Sequence, residues 1–570
     1  MSSTSLGVLK DLATEPSHDS WRRLVELLEG WSDDRSLAVQ HVAEHLKLWP
    51  PGLRRYQPFG RFELLLQGDW WDKHAVVPED AHPDLWPVVD ELCLSTRYSA
   101  GFDGFYKEVD PYLQPDGPLW HELISNPGLS SLRCLDLAGQ ELTDGQVETL
   151  VRSGRLTRLE ELSLEHNDEV DEAIVHLACV SGLRVLALNN CSIQDSSVVA
   201  MLEAWPGCPL RALSLRDTQV TDACCRALGS SLSNVEVLDL GVNHVGPEGA
   251  AALRAGPLPR LRSLRLGGCG NRLGPAGLKS ILSAPWTSQL RLLELGRYEY
   301  FRGYDFDGWD ISEAGNSIEL EGLQELSSCK ELAQLRHLFL ADGDVNRETV
   351  SLLTAAPFFQ QLETLDLSFN ELEDEGGRAL AEALVSGCLK QLYLAYARLN
   401  SVDAPGVGVE FARALARSAG GANLETLDLA FSDVGASGLL EIAASPHLKN
   451  LRKLDLYMNR VGDEALEAFA MSENFAHLEA LLLRYNLLTD RAAVAIANSP
   501  FSSKLRMLYL QGNRIGDEGA RALARSPHLN QLECLFLGDN HLSDEGSAAL
   551  ERPPGLPKLH TLETWPSPEP

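Results

Sequence analysis

The string His41-Val42-Ala43-Glu44-His45 puts two imidazoles on one face of a helix with a carboxylate between them. Two histidines so spaced can ligate zinc while the glutamate acts as general base, and His121-Glu122 offers a third ligand. The string nevertheless sits in a short helical stretch with no room for a catalytic domain, and so short a match arises readily in a chain with 15 histidines. We read these histidines as solvated helix residues. A second candidate set, Asp305, Asp307, Asp310 and Glu313, has the carboxylates for calcium, but neither its spacing nor its glycine position fits an EF-hand loop. No G-x-S-x-G elbow, phosphate loop or dinucleotide fingerprint follows a strand and opens a helix. No catalytic residue, metal ligand or cofactor is therefore assigned.

Recognition is the chemistry that the aromatic residues suggest. Phe369, Tyr396, Phe431, Met458 and Tyr485 recur at one position of five consecutive segments, and Phe339, Tyr393, Tyr457, Tyr509 and Phe536 lie close to that series. A separate run, Tyr298, Tyr300, Phe301, Tyr304, Phe306 and Trp309, is interleaved with acidic residues. Each ring offers roughly 150–250 Å². Covering about half of five such groups removes on the order of 500 Å² from water, a gross gain near ~12 kcal/mol before association costs. A self-stacked ladder, each ring shielding the next, is the alternative arrangement of the same residues, and a partner could use either.

What would position these side chains is a repeat. Leu451, Leu478, Leu505 and Leu532 each open a near-copy of one sentence, 27 residues apart. Units that small cannot bury their own apolar face and must stack on their neighbours. Within the copy at Leu505, Leu508 and Leu510 point one way, as a short strand requires, while Met507, Tyr509 and Gln511 point the other. Asn513 then turns the chain, and Asp517-Glu518 open a helix whose Ala520, Leu523 and Ala524 form a buried stripe. Ser526-Pro527 ends it. If positions are counted from the leading leucine, +2, +4 and +6 face the open side of the sheet, and +7, where the five large residues fall, lies just past the strand.

The pattern LxxLxLxxN/CxL, with leading residues from Leu132 to Leu532 and a truncated copy at Leu559, resembles the leucine-rich repeat. Its long helical half makes it similar to the ribonuclease-inhibitor subclass, of a bacterial type. Asn167, Asn243, Asn370, Asn459, Asn486, Asn513 and Asn540 occupy the turn, with Cys191 and Cys269 as the usual substitute, whereas Gln140, Tyr298, Gly343 and Ala397 depart from it. The resemblance implies an α/β leucine-rich-repeat horseshoe solenoid, parallel sheet concave and helices convex, covering roughly three quarters of the chain. It also implies a protein partner gripped in the hollow, as ribonuclease inhibitors grip theirs.

Residues 1–58 read as a helical N-terminal cap, residues 59–131 as degenerate capping repeats with an insertion, residues 132–565 as the array, and residues 566–570 as a mobile tail. Val89, Leu92 and Leu94, and more loosely Phe59, Phe62 and Leu64, match degenerate strands. Two repeats run long, with insertions near 296–318 and 400–408, and the first of these is expected to be a recognition loop. Asp136, Asp239, Asp366, Asp428 and Asp455 recur at +4, with Glu165, Asp217 and Glu294 nearby, either to steer a basic ligand or simply as part of the repeat.

A net charge of −32 and a pI near 4.8 argue against nucleic acid or an anionic membrane as partner and are compatible with a basic protein. Eleven scattered cysteines without metal-ligand spacing read as reduced, mostly buried thiols and suggest a cytoplasmic protein. The N-terminus lacks a secretory pattern, and no run of 18 apolar residues occurs. The leading expectation is a non-enzymatic protein-binding scaffold. An enzyme or enzyme activator, its chemistry in the N-terminal module or exerted on a GTPase, is the alternative, and turnover by an N-terminal fragment would favour it.

Overall fold

A computed structural model describes Leu24, Arg55–Tyr56, Glu91–Cys93 and residues 118–296, 316–385, 387–396, 407–551 and 553–564. The chain divides into two compact units, one holding the strands up to Ser263–Arg265, the other those from Leu292–Glu294 onward. In each unit successive strands pair in parallel with leucine opposite leucine. The first unit runs Leu92, Leu135, Leu162, Leu186, Leu213, Leu238, Leu264. The second runs from Leu293 and Leu338 through Leu454, Leu481 and Leu508 to Leu562. Its strands are three residues long, and a helix or short turn of 3-10 helix follows most of them. This is the α/β leucine-rich-repeat solenoid that the spacing implies. The first ladder begins at Arg55–Tyr56, paired with Glu91–Cys93, ahead of Phe59, Phe62 and Leu64, which lie outside the described residues. Of the expected N-terminal helices only Leu24, helical and buried, is described.

The repeat folds because three sets of residues do separate jobs. Leucines at +3 and +5, such as Leu508 and Leu510, are completely buried between sheet and helix. The helix Asp517–Ala524 buries Gly519, Ala520, Leu523 and Ala524 against them. The turn asparagine ties one repeat to the last: Asn513 Nδ2 donates to the carbonyls of Leu483 and Leu510 at 2.9 Å each, and its Oδ1 accepts from Leu488 N–H at 3.1 Å. In the repeat opened by Leu261 this work falls to Asn271, whose amide donates to Leu240 O and Leu266 O; the position assigned to Cys269 is corrected accordingly. After the insertion Asn316 takes the same role, donating to Leu295 O and accepting from Leu273 N–H. Extra residues in these two turns shift the asparagine along the sequence without removing it from the ladder.

The first acidic residue of the helices does more than complement the helix dipole. Asp463 accepts from the N–H and hydroxyl of Thr489, Asp490 from the N–H groups of Gly516 and Gly519, and Asp517 from the N–H and hydroxyl of Ser543. Each carboxylate thus caps the helix entry of the following repeat. The Ser543 bonds hold the Asp517 carboxyl below its ordinary value.

A second ladder runs through +1, where basic and acidic residues alternate from Arg336 through Glu363, Lys390, Glu425, Arg452, Glu479 and Arg506 to Glu533. Arg506 and Glu533 meet through two hydrogen bonds, at 2.7 and 3.1 Å, each side chain only 19% exposed. Paired and partly desolvated, such a bridge is worth more than a surface pair. Glu533→Arg should therefore cost about 1–2 kcal/mol in urea unfolding. Adding Arg506→Glu should restore part of that loss, not all, because the new glutamate faces Glu479 in the preceding repeat. A double variant no more stable than the single one would show that the pair is uncoupled.

Candidate partner-binding face

The column at +7 has a backbone requirement. Gly139, His166, Asn190, Asp217, Val242 and Gly268 hold it in the first unit, and Asp342, Phe369, Tyr396, Phe431, Met458, Tyr485, Gly512 and Asp539 in the second, all with φ between 50° and 95°. Glycine, asparagine and aspartate enter this left-handed region readily; a bulky side chain does so at a cost of roughly 1–2 kcal/mol. Five consecutive large residues accept that strain, so neighbouring contacts must hold them there.

Stacking supplies part of the hold. The rings of Phe369 and Tyr396 lie 4.8 Å apart and nearly parallel, and those of Tyr396 and Phe431 lie 5.2 Å apart. The separation follows from the strand spacing of about 4.8 Å. Tyr457, one position earlier in its repeat, continues the series with a tilted contact to Tyr396 and an edge-on contact to Tyr485. Tyr509 and Phe536 stack at 4.4 Å on the sheet face. Between these groups the guanidinium of Arg484 lies 5.5 Å from the ring centres of both Tyr457 and Tyr509.

Exposure is graded along the column. Phe369 is 1% exposed and Tyr396 6%, Phe431 is half-buried, and Met458 and Tyr485 reach 37% and 44%. Tyr393, Tyr457, Tyr509 and Phe536 are buried, and Phe339 is half-buried. Ladder and open surface therefore coexist: the N-terminal rungs are packed, and the C-terminal end presents apolar surface. Tyr298, Tyr300, Phe301, Tyr304, Phe306 and Trp309 lie outside the described residues.

The aspartates at +4 have a local task. Asp136, Asp239, Asp366, Asp428 and Asp455 each accept a hydrogen bond from the backbone N–H two residues on, closing the turn at the strand's end. In the first unit Glu165 accepts from Asn189 Nδ2 at 2.6 Å, and Arg216 lies 3.4 Å from Asp239. Asp217 is exposed and Glu294 half-buried. Among the candidate ligands, His121 is exposed on the helix Pro118–Ser125, while His41, Glu44, His45, Asp305, Asp307, Asp310 and Glu313 lie outside the described residues. Cys191, Cys208, Cys224, Cys225, Cys329 and Cys534 are buried, whereas Cys179 and Cys388 are exposed. Burial pushes the Cys191 thiol up to about 12. Among the described residues no helix is long and apolar enough to cross a membrane.

Three residues of this face, Leu487, Arg484 and Gln511, carried no assigned role in the sequence. At +9 Glu141, Asp168, Asp344, Glu371, Asp433, Arg460, Arg514 and His541 are polar, but Leu487 is apolar and 45% exposed beside Tyr485. At +6 the residues Ala341, Ser368, Ala395 and Ala430 are small, then Tyr457, Arg484 and Gln511 are large.

The repeat sequence has counterparts among known proteins. The family described as Leucine Rich repeat matches residues 231–253, 360–381, 422–443, 447–470 and 501–524. The mouse ribonuclease inhibitor is 30% identical over 299 residues, 49% of this chain and 61% of that protein. The pig ribonuclease inhibitor is 28% identical over 341 residues, 56% of this chain and 68% of its own length. A solved structure, that of the yeast Rad7 and Elc1 complex, aligns with a TM-score of 0.43 at 16% identity, covering 74% of this chain and 88% of that one. The chain carries leucine-rich repeats and is similar to the ribonuclease inhibitors. It spans less than two thirds of the mouse relative's length.

Proposed function

We propose that the chain is a non-enzymatic scaffold that binds a basic protein partner in the cytoplasm and restrains it. The observation that carries this reading is the C-terminal end of the +7 column, where Met458 and Tyr485 are exposed in a strained backbone conformation with Leu487 alongside. Apolar surface concentrated at one edge of a repeat array is suited to a protein partner. The proposed partner surface extends along Phe431 and the half-buried Phe339. The likeness to ribonuclease inhibitors supports a restraining role, and a net charge of −32 supports a basic partner.

Affinity capture from native lysate on the immobilised chain tests it. The retained protein should be basic, and raising salt from about 0.05 to 0.5 M should shorten its retention several-fold as the Debye length shrinks. Retention indifferent to salt would remove the electrostatic part of the reading. If no protein is retained at low salt, the scaffold role itself fails.

A further inference from the structure

Gln511 stands apart from the other polar residues of the sheet face. It is only 5% exposed, yet neither Nε2 nor Oε1 of its side chain has a hydrogen-bond partner. The equivalent position in the first unit shows the ordinary solution: Asn189 donates to Glu165 at 2.6 Å and accepts from the Ser214 hydroxyl at 2.6 Å. A buried amide left unpaired at both ends destabilises the fold, and an apolar residue of the same size would not. Alternation with the fully buried Leu510 puts Gln511 on the side of the sheet that holds Arg484, Tyr509 and Phe536. Its neighbour Gly512 lies directly against the Tyr485 ring, which a Cβ there would approach to 2.3 Å. Tyr485 in turn donates its hydroxyl to Asp539 Oδ2 at 3.1 Å. The unpaired amide is thus next to the exposed end of the aromatic column.

We propose that Gln511 reads one main-chain peptide unit of an extended segment of the protein partner, Nε2 donating to its carbonyl and Oε1 accepting from its N–H. The chemistry of the amide selects this occupant. An anion would satisfy Nε2 and oppose Oε1, and a cation would do the reverse; a peptide unit meets both with complementary groups in one plane. Met458, Tyr485 and Leu487 then take an apolar side chain of the same segment, and displacement of the Tyr485 ring gives it access to the amide. The inference rests on the scaffold reading above and adds to it the chemical identity of what is bound.

The test uses a displayed library of short random peptides selected on the full chain, followed by affinity measurements on variants. Gln511→Met keeps the length and removes both polar atoms. Binding of the selected peptides should fall about ten- to a hundredfold, while the melting temperature rises by about 2–4 °C because the buried amide is gone. Gln511→Ala should lose binding to the same extent. Opposite signs in the two readouts are the signature, since a side chain needed only for the fold would lose stability. Unchanged affinity in both variants, a lower melting temperature in Gln511→Met, or a selection that enriches no peptide would each overturn the proposal. Peptides that ignore Gln511 but are lost on Met458→Ala with Tyr485→Ala would leave the scaffold reading intact and remove only the peptide-unit contact.

Discussion

Alanine at Met458 and Tyr485 together should weaken partner capture by about a hundredfold or more while the melting temperature stays within about 3 °C of the unsubstituted chain. Both side chains are more than a third exposed, so truncating them removes little that the fold uses. Tyr485 gives up a partly exposed hydrogen bond to Asp539 and its cover on Gly512, worth about 1 kcal/mol together. Alanine at a left-handed position keeps most of the backbone strain already present, so no large gain offsets that loss. At the interface the same truncation removes two anchors worth roughly 1.5–2 kcal/mol each. Phe369→Ala should show the reverse. Its ring is buried and stacked face to face on Tyr396, so removal leaves a cavity and an unsupported neighbour, costing about 3–4 kcal/mol of stability. Thermal unfolding followed by circular dichroism, alongside capture measured at equal folded concentration, separates the two roles. Capture that survives the Met458 and Tyr485 pair and fails only with Phe369→Ala would show that the column matters solely as a ladder.

That contrast also shows where the sequence was sufficient. A period of 27 residues with leucines at +3 and +5 allows one arrangement, because a slip by one residue would turn every core leucine to the open face. Strand register and helix stripes follow from it. The turn asparagines were legible for the same reason, except where added residues displaced them to Asn271 and Asn316, which only the hydrogen bonds reveal. The aromatic column was visible as residue types, but its exposure was not: rings on strands about 4.8 Å apart either stack or stand open, and the choice depends on ring tilt and on what lies beside them. Phe369 and Tyr485 occupy the same repeat position with opposite outcomes. Leu487 was visible as the odd member of its column, and Arg484 and Gln511 as large polar residues following small ones. Their significance depends on burial and pairing, which a single sequence does not display. The +4 aspartates show the converse, since a residue that looks like a charge for a ligand turns out to close its own turn.

Asn513→Ala should be among the most damaging single changes in the second unit, lowering unfolding free energy by about 3–5 kcal/mol. Alanine removes the donor to Leu483 O and Leu510 O and the acceptor for Leu488 N–H, three backbone groups at a turn sealed from water. Each buried group left unpaired costs about 1–3 kcal/mol, and local shifts recover part of the sum. Asn513→Asp should do no better, because the carboxylate keeps the acceptor, loses both donations and brings a charge into a buried turn. The position of the damage is as informative as its size. In a stacked array stability is a sum over repeats and the interfaces between neighbours, so the loss falls on the junction of the repeats opened by Leu478 and Leu505. Hydrogen exchange should therefore quicken at Leu488 and at the amides of the repeats opened by Leu505 and Leu532, while the strand Thr364–Asp366 keeps its protection. Equal acceleration along the whole ladder would mean that the unit unfolds as one cooperative block, and the asparagine would then be one contributor among many in place of a local clasp.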